Sequence, residues 1–150
     1  MRLFIALPLD TVRDYLLHIQ QQIPKEYGKL SFVRDFHLTM KFLGEVLPHE
    51  LDAVKRSLSS VSVDSFSFAL DKIGCFERKG EIKVVWVGIQ PEAKVVELQK
   101  SIDEALKNQF ECDKDYRPHI TLARVKTIEK KEMFINSLKE LAVVKNQVAV

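Results

Sequence analysis

Two histidines in this chain are each followed, two residues later, by a threonine. His37 and Thr39 lie in the stretch FHLTMKFLGE, and His119 and Thr121 lie in PHITLARV. On a β-strand, residues i and i+2 point to the same face, about 6.6 Å apart. Each histidine is therefore predicted to share a strand face with its threonine.

This pairing suits acid–base chemistry at phosphorus. An imidazole with an ordinary pKa near 6.5 serves as base or acid at neutral pH, so a neutral and a protonated histidine together support concerted proton transfer. Threonine hydroxyls donate hydrogen bonds to the non-bridging oxygens of a phosphate. Displacement of an internal leaving group from a strained cyclic phosphodiester needs one base and one acid, and it needs no metal ion.

The two motifs belong to a longer internal repeat. Shifting the sequence by 82 residues superimposes both motifs and also aligns the strand-like segment around Phe4 with that around Trp86. Each copy, about 1–76 and about 83–150, has the pattern strand, helix, strand, helix, strand. This predicts one α+β domain of two pseudo-symmetric lobes, each an antiparallel sheet with helices outside. An approximate two-fold relation brings both motifs to an active-site cleft between the lobes.

The second copy is shorter than the first. The first copy's last strand is predicted over 66–76, whereas the equivalent strand of the second copy begins at Val148 and the sequence ends at Val150. We therefore expect the C-terminal strands of the single 1–150 domain to be incomplete.

Other residues near the motifs are secondary candidates. Strict alternation places Lys41 on the face of His37, where it could lend positive charge or stay solvated. Phe42 and Arg124 each follow a motif histidine by five residues and point away from its face unless the strand bulges. Phe42 is equally compatible with the core, whereas Arg124 is expected at the cleft rim. Arg117 is a candidate second cation, and Trp86 is expected in the core.

Composition narrows the functional classes. A net charge of +2 and a pI near 8.5 suit a small phosphate-bearing ligand better than a long nucleic-acid groove. The sequence has no CxxC, HExxH, P-loop or GxGxxG pattern, so we expect no metal and no cofactor. Its N-terminal apolar run, Leu3 to Leu9, is short for a signal peptide, and no stretch is long enough to span a membrane. We expect a cytoplasmic monomer.

The duplicated H-x-T motifs resemble those of the 2H phosphoesterases, and MRLFIALPL, HLTMKFLGE and HITLAR resemble the RNA 2′,3′-cyclic phosphodiesterase branch, also called 2′-5′ RNA ligase. The resemblance implies hydrolysis of an RNA-terminal 2′,3′-cyclic phosphate to a 2′-phosphate, without metal, and a role in tRNA processing on tRNA halves. It implies His37 as general acid, His119 as general base, Thr39 and Thr121 as phosphate ligands, and Phe42 with Arg124 flanking the nucleobase.

Three alternatives stay open at this point. The chain could be a 2′-5′ RNA ligase, or a phosphodiesterase for a small cyclic nucleotide rather than RNA. It could also be a nucleotide- or RNA-binding module without catalysis, although binding alone would not require both histidines.

Overall fold

The computed structural model of the protein describes residues 1–144 and 146–150. Helices are interspersed with single strands and pairs of consecutive strands along the chain, and a short 3-10 turn, Asp10–Val12, precedes the first helix. The elements are β1 (Arg2–Pro8), α1 (Arg13–Gln21), β2 (Gly28–Phe32), β3 (His37–Glu45), α2 (Pro48–Leu58), β4 (Ser67–Arg78), β5 (Glu81–Gln90), α3 (Ala93–Leu106), β6 (Ile120–Ile128), α4 (Lys131–Glu140) and β7 (Gln147–Ala149).

All strand pairs are antiparallel, in the order β1-β3-β6-β5-β4-β7 with β2 also paired to β6. The α+β class is therefore confirmed. Between β3 and β6 the sheet narrows to the single pair Leu38–Ile120. This narrow point separates a β1–β3 part from a larger part, an arrangement consistent with two lobes. β2 and β4, from the first repeat, belong to the larger part, so the sequence repeats do not form separate sheets.

The helices cover one face of the sheet. α3 packs on β3 and on α2, α1 packs on β6, and α4 packs on β4. Their inner faces are apolar at helical spacing, as predicted from the sequence. The buried apolar helix residues are Leu16 and Ile19 of α1, Val54 of α2, Val95, Leu98, Ile102 and Leu106 of α3, and Phe134 and Leu138 of α4. The face that carries His37 and His119 is left open.

Each motif strand contains a β-bulge at the same place in the repeat. In β3, Lys41 lies opposite Ile5 and Thr39 lies opposite Ala6, which leaves Met40 as the extra residue. In β6, Leu122 is extra in the same way against β5. Met40 and Leu122 are 82 residues apart, the shift that relates the two copies.

The bulges reverse the alternation of side chains after each motif. Met40 and Lys41 both point to the helix side, where they are 1% and 2% exposed, and Phe42 returns to the open face, where it is 70% exposed. In β6, Leu122 and Ala123 are buried while Arg124 is exposed. The expectations that Phe42 could be core and that Lys41 shares the face of His37 are both wrong, because one extra residue moves each to the other side.

Candidate active site

His37 is the first residue of β3, on the open face of the sheet. Its ring stacks on Phe4 of β1, with centroids 4.6 Å apart and planes at 29°. Partial burial lowers the pKa of His37; the carboxylate of Asp35 raises it in part, and the Arg124 guanidinium lowers it again, so that the net pKa lies below the ordinary value. The neutral imidazole is thus favoured, with one carboxylate nearby that supports the charged form.

His119 lies just before β6, and its ring is fixed from two sides. Its Nδ1 lies 2.8 Å from the carbonyl oxygen of Arg117, and the ring meets Phe76 edge-on, with centroids 4.8 Å apart and planes at 83°. A carbonyl only accepts hydrogen bonds, so Nδ1 carries the proton and the neutral ring has its lone pair on Nε2. Burial lowers the pKa of His119, the Arg117 carbonyl raises it in part, and Arg124 lowers it.

Arg124 connects the two histidines electrostatically. The same guanidinium lowers the pKa of His37 and the pKa of His119. A single cation that acts on both imidazoles must lie near both. Arg124 is exposed on β6 two residues after the bulge at Leu122, within electrostatic reach of both imidazoles.

A cavity of about 850 Å³ lies beside His119. Its walls are the β3 segment 39–42, the β4 segment 75–77 and the loop 113–117 that leads to His119. Thr39, Phe42 and His119 thus line one cavity, whereas His37, Thr121 and Arg124 lie outside its lining. Arg117 lines it too, but its guanidinium pairs with Asp115 at 3.3 Å on the surface.

Several aromatic residues around the histidines were missed from the sequence. Phe4 stacks on His37, and Phe76 contacts both His119 and, at 5.2 Å between centroids, Trp86. Trp86 was expected in the core, but it is half-buried and pairs across the sheet with Thr121. Cross-strand partners share a face, so Trp86 belongs to the face of the histidines. The repeat held a signal for this, because the 82-residue shift places Trp86 on Phe4.

Tyr116 is a further residue whose role the sequence did not reveal. Its hydroxyl donates a 2.8 Å hydrogen bond to the backbone oxygen of Thr39 and so ties the loop before His119 to the first motif. Burial raises the pKa of the Tyr116 phenol far above its ordinary value, and the hydroxyl stays a donor at all physiological pH.

The described part of the chain contains neither a cluster of metal-binding side chains nor a membrane-spanning helix. Over 1–144 and 146–150, no three His, Cys, Asp or Glu side chains are grouped so that they could hold a metal ion. Within the same residues, no helix is long and apolar enough to cross a membrane.

Comparison with known proteins gives consistent matches. Residues 8–146 match the 2′-5′ RNA ligase superfamily. The RNA 2′,3′-cyclic phosphodiesterase of Archaeoglobus fulgidus is 35% identical over 132 residues, 84% of this chain and 73% of the relative. That of Methanocaldococcus jannaschii is 34% identical over 134 residues, 88% and 76% of the two chains. The crystal structure of Escherichia coli LigT complexed with 3′-AMP is 25% identical and superposes with a TM-score of 0.69, over 99% of this chain and 82% of that one.

Proposed function

The chain belongs to the 2′-5′ RNA ligase superfamily, a family of 2H phosphoesterases, and we propose that it hydrolyses RNA-terminal 2′,3′-cyclic phosphate to a 2′-phosphate without a metal ion. The observation that carries the proposal is the hydrogen bond between His119 Nδ1 and the carbonyl oxygen of Arg117. It supports a neutral imidazole whose basic Nε2 is free to act on a nucleophile, and a second imidazole, His37, lies on the same open face.

The proposed reaction assigns one proton transfer to each histidine. His119 Nε2 takes a proton from water as the water oxygen attacks phosphorus. The bond between phosphorus and O3′ breaks, and His37 gives its proton to the departing O3′. The product carries a 2′-phosphate and a free 3′-hydroxyl. The two histidines have then exchanged protonation states and must return to the starting states through solvent.

The remaining motif residues bind the substrate in this proposal. The hydroxyls of Thr39 and Thr121 donate to the non-bridging phosphate oxygens, and the charge of Arg124 compensates the phosphate. Phe42 and Arg124 flank the terminal nucleobase, since aromatic rings and guanidinium planes both stack on bases. The two β-bulges support this role, because they turn both side chains to the histidine face.

Formation of 2′-5′ linkages is a second candidate, favoured by the cavity beside His119. A volume of about 850 Å³ is far larger than an attacking water needs, which is about 30 Å³. A nucleoside bearing a 5′-hydroxyl would fit there, and His119 would activate that hydroxyl as it activates water. Fragments of tRNA with cyclic phosphate ends are the proposed substrates of both reactions. The monomeric state and the cytoplasmic location stay predictions.

The test is turnover of a short RNA that ends in a 2′,3′-cyclic phosphate, with the 2′- and 3′-phosphate products resolved. We expect the 2′-phosphate, a bell-shaped pH profile, and no loss of rate with EDTA. His37→Ala and His119→Ala should each lower the rate by about 10²–10⁴. His49→Ala, at the exposed start of α2, is the matched control and should keep the full rate.

Different outcomes separate the alternatives. Full activity in either motif variant, loss of activity with EDTA, or a 3′-phosphate product would each refute the proposed mechanism. Turnover of a cyclic mononucleotide but not of RNA would favour the small-nucleotide phosphodiesterase. Tight binding of nucleotide with no turnover near pH 6–8 would favour the non-catalytic binding module.

A further inference from the structure

The loop that leads to His119 is anchored to the strand of the other motif by a buried lysine. Lys41 of β3 is 2% exposed, and its Nζ donates to the carboxylate of Asp103 on α3 at 2.5 Å and to the backbone oxygen of Glu111 at 2.7 Å. The carboxylate of Asp113 lies 3.6 Å from the same Nζ. Glu111 and Asp113 belong to the connection between α3 and β6, whose last part is the loop 113–117, so one ammonium group joins β3, α3 and this connection.

Asp103 completes the anchor on the helix side. Its second carboxylate oxygen accepts hydrogen bonds from the backbone nitrogen of Asp113 at 2.9 Å and from the side chain of Gln99 at 3.0 Å. Gln99 also donates to Asp113. Burial raises the pKa of Asp103, but the hydrogen bonds from Lys41, Asp113 and Gln99 together outweigh burial and leave that pKa below its ordinary value. The carboxylate is thus charged and fully bonded.

The repeat shows that this lysine is not required by the strand itself. Lys41 aligns with Ala123 in the second copy, which is also buried behind a bulge. A buried charge is costly unless it is paired and hydrogen-bonded. An alanine fills the same place in β6 without that cost, so the lysine serves the contacts that it makes rather than the packing of the strand.

A second hydrogen bond to β3 lies closer to His119. The hydroxyl of Tyr116 donates to the Thr39 backbone oxygen, one residue before the bulge in β3. The next residue is Arg117, whose carbonyl holds His119 Nδ1. The segment before His119 is thus held by hydrogen bonds at Glu111, Asp113, Tyr116 and Arg117.

The segment 33–36, which leads to His37, has a corresponding anchor. Gln20 of α1 is 7% exposed, and its side-chain amide donates to the backbone oxygens of Val33 at 2.7 Å and Leu122 at 2.8 Å. Val33 begins the segment that leads to His37, and Leu122 is the bulge residue of β6. The backbone N–H of Val33 also donates a 3.0 Å hydrogen bond to the carbonyl oxygen of Leu122. Each approach segment is therefore fixed to the strand of the other motif.

We propose that Lys41, Tyr116 and Gln20 are positioning residues: Lys41 and Tyr116 set the place of His119, and Gln20 sets the place of His37. Only the kinetic test of this proposal rests on the proposed function; the NMR test does not. Because the strand of each motif holds the segment before the other histidine, the separation of the two imidazoles does not depend on the single strand pair Leu38–Ile120.

The test compares Lys41→Met and Gln20→Met by NMR titration of the histidine rings. Each variant is the matched control for the other. Lys41→Met should move the titration midpoint of His119 by about half a pH unit or more and leave His37 in place, whereas Gln20→Met should do the reverse. Lys41→Arg keeps the charge and should return His119 toward its wild-type midpoint.

The kinetic arm uses the cyclic-phosphate RNA. We expect Lys41→Met to lower kcat about 10- to 100-fold with KM within about threefold, because a displacement near 1 Å has effects of this size. Tyr116→Phe removes one hydroxyl, keeps the ring, and should lower kcat about tenfold. If Lys41→Met does not fold, the kcat of Tyr116→Phe tests the positioning of His119 instead.

Several results would overturn the proposal. These are equal movement of both histidines in both methionine variants, an unchanged kcat in Lys41→Met and Tyr116→Phe, or activity that falls only with the folded fraction measured by near-UV circular dichroism. Absence of turnover in the wild type would refute the proposed function instead, while the NMR arm would still decide on positioning.

Discussion

Substitution of Lys41 by methionine is expected to destabilise the fold strongly. The two partners of the Lys41–Asp103 ion pair lie 2.5 Å apart, with side chains only 2% and 8% exposed. Methionine fills the space of the lysine stem but leaves the Asp103 carboxylate buried without its cation. Removal of one partner from a buried pair costs about 3–5 kcal/mol of unfolding free energy. Asp103 keeps the donors Gln99 and Asp113 N, so we expect the lower half of this range.

The pH dependence of this loss has a defined sign. In the wild type the pKa of Asp103 is depressed, so its stabilising effect is present above the ordinary value of 3.8 and is lost as the pH falls through the folded value. In Lys41→Met the cation is gone while the desolvation remains, and the pKa of Asp103 rises. Protonation on acidification then relieves the buried charge. The difference in stability between wild type and variant should therefore shrink as the pH falls from 7 toward 4.

Urea denaturation followed by fluorescence of Trp86, the one tryptophan of the chain, measures this difference. Lys41→Met/Asp103→Asn removes both charges and should recover part of the loss at pH 7. Lys107→Met, which removes an exposed lysine paired with Glu104 on the same helix, is the control and should leave stability unchanged. A loss below about 1 kcal/mol in Lys41→Met, or a loss that is the same at pH 7 and pH 4.5, would refute the reasoning.

Two further predictions concern the proposed substrate face. Arg124→Gln removes the cation that lowers the pKa of His37 and of His119. Both limbs of the pH–rate profile should therefore move to higher pH. A profile in which either limb stays in place would contradict this prediction. Phe42→Ala should raise KM for the RNA about 5- to 100-fold, the range expected for loss of one stacking contact. Because Phe42 is 70% exposed, thermal denaturation should be unaffected, and an unchanged KM or a lowered Tm would argue against the base-flanking role.

The repeat and its two motifs could be predicted from the sequence because the 82-residue shift is visible residue by residue. The side of the sheet on which Phe42 and Lys41 lie could not. Alternation is predicted by counting residues along the strand, and a bulge that inserts one residue reverses the predicted face of the residues that directly follow it. The two bulges, at Met40 and Leu122, become evident only when each strand is aligned with its neighbour.

The pairing of the strands could not be predicted from local sequence patterns either. β2 carries a period-2 signal, since Lys29 and Ser31 are exposed while Leu30 and Phe32 are partly buried, but this short strand was missed. Its partner, β6, lies about 90 residues further along the chain. The burial of Lys41 could not be predicted for the same reason, because it depends on a residue far away in the sequence. A lysine reads as a surface residue until its acceptor is known, and Asp103 is 62 residues away.

The two motifs are alike in sequence, yet their histidines have different surroundings, and the difference agrees with the proposed division of roles. His119 has its tautomer fixed by the Arg117 carbonyl, which leaves Nε2 as the basic atom. Among the described residues, the ring nitrogens of His37 make no hydrogen bond, and its ring stacks on Phe4. Burial keeps the net pKa of His37 below its ordinary value, but the Asp35 carboxylate opposes that lowering and so supports the charged form. A base needs a lone pair held in a known direction, whereas an acid needs a proton and a nearby charge that supports it. The duplication thus supplies two equivalent imidazoles, and the residues just before each motif, Asp35 and Arg117, make them unequal.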